Sequence, residues 1–131
     1  MGGIVWLASY PKSGNTWMRA FLHNLLTNAK KPVEPNLLDS FTRANKAVGW
    51  YRPYVGDKPA NAIAPEELAR HRKSVHRDFT LMSPDTIFIK THCFLGVDDL
   101  GAPLITMEYT AGAIYIVRNP LDVVLSMMPH F

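Results

Sequence analysis

The chain opens on a short unbroken apolar run, GIVWLAS (residues 3–9), and the pattern then changes period. A continuous run of that length, closed by a turn, predicts a strand buried on both faces of a parallel sheet. In TWMRAFLHNLLTN (16–28), Trp17, Phe21, Leu22, Leu25 and Leu26 recur at helical spacing, which predicts an amphipathic helix. Strand, glycine-containing loop and helix form the first half of a βαβ unit.

Residues 30–62 carry no clear period. Pro32, Pro35, Pro53 and Pro59, with Gly49 and Gly56, interrupt any long element. APEELARHRKSVHRDF (64–79) reads as a helix, with Pro65 at its first position, Glu66 and Glu67 at its positive end and Arg72, Lys73 and Arg77 further along. SPD (83–85) is a turn and TIFIKTH (86–92) a second strand. DDLGAP (98–103) turns again, and AIYIV (113–117) reads as a third buried strand ending at Arg118. NPLDVVLSMM (119–128) follows as a helix, with Asn119 as cap and Pro120 at the first position. The pattern predicts one α/β domain spanning residues 1–131, a P-loop-like parallel sheet flanked by helices. Three strands make a thin layer, so an incomplete, C-terminally truncated domain is expected unless the middle segment supplies cover.

Composition narrows this picture only a little. The 131 residues suit one core, and 47% hydrophobic content with a mean hydropathy of −0.04 is that of a globular protein. The net charge of +3 fits an anionic ligand but is too small to argue for nucleic acid. Cys93 is the sole cysteine, so no intrachain disulfide forms and a reducing, cytoplasmic setting is expected. The opening residues lack the basic flank of a signal peptide, and their apolar run is too short for a membrane span. Trp6 in place of Ser or Thr breaks the myristoylation pattern at Gly2.

Three stretches carry candidate chemistry. In YPKSGNTWMR (10–19) a lysine stands two residues ahead of a glycine, the reverse of the common ATP-binding loop. A loop between a strand and a helix N-terminus has free amides and the positive end of the helix dipole to offer an anion. Gly14 permits close approach, Lys12 adds a charge, and Ser13 and Thr16 add hydroxyls. An ordinary turn with an exposed lysine has the same spacing. Arg118 stands where a strand runs out, the preferred ligand edge of an open α/β sheet, and a guanidinium there can hold phosphate through two hydrogen bonds. A surface ion pair with Asp122 is the plainer reading. Ser126, eight residues on, reaches that edge only if its helix packs back. Lys90 and His92 alternate at the end of the second strand and so share a side, where an imidazole can act as a general base or merely be solvated.

Taken together, YPKSGNTW, IKTH and IVRNPLDVVLS resemble the sulfotransferase family, specifically its soluble enzymes that use 3′-phosphoadenosine-5′-phosphosulfate (PAPS) and release the desulfated nucleotide PAP. The resemblance spans nearly the whole chain. It implies that Lys12, Ser13, Gly14, Asn15, Thr16 and Trp17 hold the 5′-phosphosulfate, with Trp17 near the adenine. It implies that Arg118 and Ser126 bind the 3′-phosphate, that His92 takes the acceptor's proton, and that Lys12 and Lys90 stabilise the sulfuryl group and departing phosphate. No metal is implied. The implied acceptor is a small alcohol, phenol or amine, with nucleic acid and membrane excluded as partners and a homo-oligomer left open. Asn15 stands where many relatives have threonine, and HCFLG replaces the commoner His-Leu-Pro. Relatives carry a later glycine- and lysine-rich segment, so the resemblance also implies an N-terminal portion of the family domain. A P-loop kinase using ATP and Mg²⁺ is the enzyme alternative, and a non-catalytic PAP-binding relative the other.

Outside these stretches, Trp50, Tyr51, Arg52 and Tyr54 either line an acceptor pocket or pack a long loop. The basic helix reads as a solvated face, Met127 and Met128 as core filler, and Cys93 as a buried small residue.

Overall fold

The structure, a computed structural model, describes residues 2–130. Its centre is strand β1 (Ile4–Ser9), with Ile4, Trp6, Leu7 and Ser9 all buried, as its unbroken apolar run predicts. β1 pairs in parallel with β3 (Ile87–Thr91) on one side and β4 (Thr110–Ile116) on the other. A two-residue strand, β2 (Arg43–Ala44), adds to the far side of β3, giving the order β2-β3-β1-β4. The short β2 lies in the segment where composition predicts only breaks. Its pairing partner, not its own pattern, makes it a strand.

Helices cover both faces. After β1 comes α1 (Asn15–Leu26), and the middle segment holds only the short helices α2 (Leu38–Phe41) and α3 (Arg52–Val55) among 3₁₀ turns. α4 (Pro65–Leu81) begins with Pro65, and the Glu67 carboxylate accepts from the Ala64 amide at 3.1 Å. Val75 and Phe79 pass from this helix into a core with Ile4, Trp6, Ile89 and Tyr51, and buried His76 meets Trp6 edge-on at 5.0 Å. The middle segment closes that core: Trp50 meets Phe79 edge-on at 5.3 Å, and Tyr54 stacks on His71 at 5.2 Å. These two aromatics therefore pack the loop. α4 is also laced by ion pairs, Arg72 to Asp98 at 2.9 Å and Lys73 to Glu108 at 2.5 Å. α5 (Pro120–Met127) starts as its sequence predicts, with Asn119 Oδ1 accepting from the Leu121 amide at 2.9 Å.

Two readings of the apolar pattern need correction. β4 is not buried: it forms the sheet edge among the described residues, and its side chains alternate between half-buried and exposed, with Tyr115 70% exposed. A continuous apolar run cannot reveal whether a neighbour lies beside it. The apolar stripe of α1 also faces outward, with Trp17 83% exposed and Phe21 and Leu25 exposed with it. The face that the helix turns to the sheet buries Asn15 and Arg19 instead.

Candidate active site

The loop between β1 and α1 is held in a tight, unusual path. Lys12 adopts a left-handed backbone (φ 63°), which costs a non-glycine residue energy and marks a constrained turn. Gly14, at φ 105° and ψ 17°, caps α1 in a region that favours glycine. The Gly14 carbonyl accepts the first helical bond, from the Met18 amide at 3.1 Å. The amides ahead of Met18 have no carbonyl one turn back within the helix, so their N–H groups and the helix dipole face the loop. From the far side, Arg118 Nη1 donates to the Lys12 carbonyl at 3.0 Å and ties the end of β4 to the loop.

These elements enclose an open cleft of about 410 Å³. Lys12, Gly14, Asn15, Thr16, Trp17, Lys90, His92, Arg118 and Ser126 all line it, so it gathers every sequence-predicted site residue but Ser13. Ser13 is nearly buried and borders the two adjoining cavities beside Arg118. α5 does pack back, anchored by buried Val123, and that brings Ser126 to the same cleft as Lys12.

His92 follows β3 directly. Its Nδ1 lies 2.8 Å from the carbonyl oxygen of Ser9, and the Ser9 hydroxyl is 3.4 Å from the same nitrogen. A carbonyl can only accept, so Nδ1 carries the proton, and in the neutral ring Nε2 keeps its lone pair. That geometry suits proton abstraction.

Lys90 is half-buried, and burial is the main cause that lowers its pKa, with the Arg19 charge adding to it and Asp39 opposing. Arg19 was missed in the sequence because the α1 pattern places it on the outer face. It is buried against the sheet, donates from Nε to Thr42 Oγ1, and pairs with Asp39 at 2.5 Å. Asn15 also points inward: its Nδ2 donates to the Leu7 carbonyl at 2.8 Å and to Ser9 Oγ at 3.2 Å, while its Oδ1 is buried with no hydrogen-bond partner.

Beside the cleft, Trp17, Met18, Phe21 and Ile116 form an apolar shelf that reaches Arg118. Of the two aromatics here, Trp17 is an expected site residue and Phe21 is not; its i, i+4 spacing from Trp17 was the available signal. A second cavity of about 350 Å³ lies against α4, lined among others by Tyr51, Arg72, Cys93 and Asp98. Cys93 is half-buried rather than buried, and Asn45 Nδ2 sits 3.8 Å from its sulfur. Asp98 is engaged, accepting from the Leu100 and Ala102 amides as well as Arg72; the Ala102 amide is the largest cause holding its carboxyl below the usual range. Among the described residues no group of three His, Cys, Asp or Glu side chains is arranged for a metal ion, and no helix is long and apolar enough to cross a membrane.

No match is found among curated proteins. The sulfotransferase domain family matches residues 3–131, which takes in the loop, Lys90, His92, Arg118 and Ser126 together with all four strands. This chain belongs to the sulfotransferase family.

Proposed function

We propose that the cleft transfers a sulfuryl group from PAPS to a hydroxyl or amine of a small acceptor, with His92 as general base. The observation that carries this reading is the convergence of Lys12, Lys90, His92, Arg118 and Ser126 on one cleft at a helix N-terminus. The donor set fits a nucleotide with two separate anionic groups, since it offers cations, hydroxyls and amides and no carboxylate. The loop from Lys12 to Thr16 would hold the 5′-phosphosulfate, and Arg118 with Ser126 the 3′-phosphate. The Trp17–Phe21 shelf offers a flat apolar surface to the base. PAPS supplies the activated sulfuryl group, whose transfer leaves negative charge on phosphate.

The protein's own work is then specific. Nε2 of His92 takes the acceptor's proton as the new bond to sulfur forms. Lys12, Lys90 and the first-turn amides of α1 stabilise the charge that develops on the departing oxygen, and so favour the transition state over the ground state. Lys90 suits this work because burial and Arg19 disfavour its charged form, and an adjacent anion relieves both pressures. We place the reaction in the cytoplasm, on the single cysteine.

His92→Ala tests the assignment. Transfer from PAPS to 4-nitrophenol should fall by about 10²–10⁴-fold, the usual worth of a positioned base. PAP binding, measured by calorimetry, should stay close to that of the parent chain. Near-normal turnover in His92→Ala removes the histidine from the mechanism.

A further inference from the structure

We propose that Asn15 is a positioning residue for His92, acting through the end of β1 and not through a side-chain contact with the ligand. The proposal rests on reading His92 as the base. Its geometry is a short relay that begins at the buried Asn15 amide and ends at the exposed His92 ring. Asn15 Nδ2 spends one hydrogen on the Leu7 carbonyl (2.8 Å) and the other on Ser9 Oγ (3.2 Å). Ser9 in turn presents its carbonyl to His92 Nδ1 at 2.8 Å.

The β1–β3 ladder ends at the Ala8–Thr91 pair, so Ser9 lies one residue beyond its support from β3. Asn15 grips the strand on both sides of that point. The grip comes from the first residue of α1, which ties the loop, the strand end and the imidazole into one unit. It also has a cost that packing alone does not explain. Oδ1 is left buried and unpartnered, a defect that native interiors seldom carry without a reason. The amide cannot be turned over to repair it, because the Leu7 carbonyl requires a donor at the nearer atom.

In water the neutral imidazole carries its proton mainly on Nε2, the nitrogen that a base must keep free. Holding the proton on Nδ1 is therefore a property of the site, and it can be read without any turnover. Two-bond proton–nitrogen correlation spectra of the full chain, labelled at histidine and recorded above the imidazole pKa, report it for each of the five histidines. His92→Gln identifies the His92 signals. The parent chain should show His92 with its proton on Nδ1. In Asn15→Ala and in Ser9→Ala the Nε2–H form should become the major one, and turnover should drop by about ten-fold or more with the KM for PAPS little changed.

A parent His92 protonated on Nε2 overturns the proposal, as does an unaltered tautomer in both folded variants. If Asn15→Ala fails to fold, Asn15→Leu, which keeps the bulk of the side chain without its donors, takes its place; Ser9→Ala cannot decide alone, because the Ser9 hydroxyl itself lies 3.4 Å from His92 Nδ1. A tautomer that shifts while turnover holds supports the positioning and counts instead against His92 as base.

Discussion

The two faces of this sheet are built on opposite terms. On the α4 face the contacts are apolar and the buried polar groups are satisfied. His76 is fully buried, with one ring nitrogen 2.8 Å from Asn45 Oδ1 and the other 2.8 Å from Thr106 Oγ1, and Trp6 Nε1 donates to Thr110 Oγ1 at 2.8 Å. On the α1 face the helix turns Asn15 and Arg19 inward and leaves Trp17, Phe21 and Leu25 outside. That side also holds the left-handed Lys12, the unpartnered Asn15 oxygen and the desolvated Lys90. Strain and unmet polar groups gather where ligand chemistry is proposed, while the closed face supplies the stability that tolerates them.

The comparison is easiest to break on the closed face. Phe79 is fully buried there, so Phe79→Ala should destabilise the chain by about 3–5 kcal/mol in urea unfolding. A loss below about 1 kcal/mol would mean that the α4 face is not the main source of stability.

A smaller effect comes from His76, whose pKa burial lowers from 6.5 to about 4, with Arg72 adding to the shift. Between those values the unfolded chain binds a proton that the folded chain refuses. Stability contributed by the neutral ring is therefore intact above pH 6.5 and lost as pH falls toward 4, by about 3 kcal/mol in all. Urea midpoints across that window should fall with acid, and His76→Gln should flatten the slope. An unchanged slope in the variant places the titration elsewhere.

The smallest effect on stability should lie on the open face. Arg118 is exposed and makes one bond to the loop, so Arg118→Ala should shift unfolding by less than about 1 kcal/mol. Its Kd for PAP should nonetheless rise by about 10- to 100-fold, and rise far less for adenosine 5′-phosphosulfate, which lacks the 3′-phosphate. Equal losses for both nucleotides would strip Arg118 of its assigned role.

Much of the framework was legible in the chain. β1, α4, β3 and α5 follow their predicted spans closely, and Pro65, Asn119 and Pro120 stand at the helix starts where local chemistry puts them. The predicted ligand set also converges on one cleft, with Ser13 turned aside. Residues 30–62 resisted reading because their short helices and β2 are held by partners remote in sequence, such as Ile89 and Lys90 opposite Arg43 and Ala44. The orientation of α1 resisted for a different reason. A helical wheel reports which side is apolar, and here the apolar side is the outer one.

Local order was thus written in the residues themselves: strand runs, helix periods, caps, and a loop whose lysine precedes its glycine. These depend on steric and hydrogen-bonding preferences that act within a few positions of chain. Only the tertiary structure decided that Asn15 and Arg19 lie beneath the sheet, that Ser9 presents its carbonyl to His92, and that Arg118 reaches back 106 residues to the Lys12 carbonyl. Each of those contacts joins groups on different elements, and its sign and geometry exist only once the sheet has set the elements side by side.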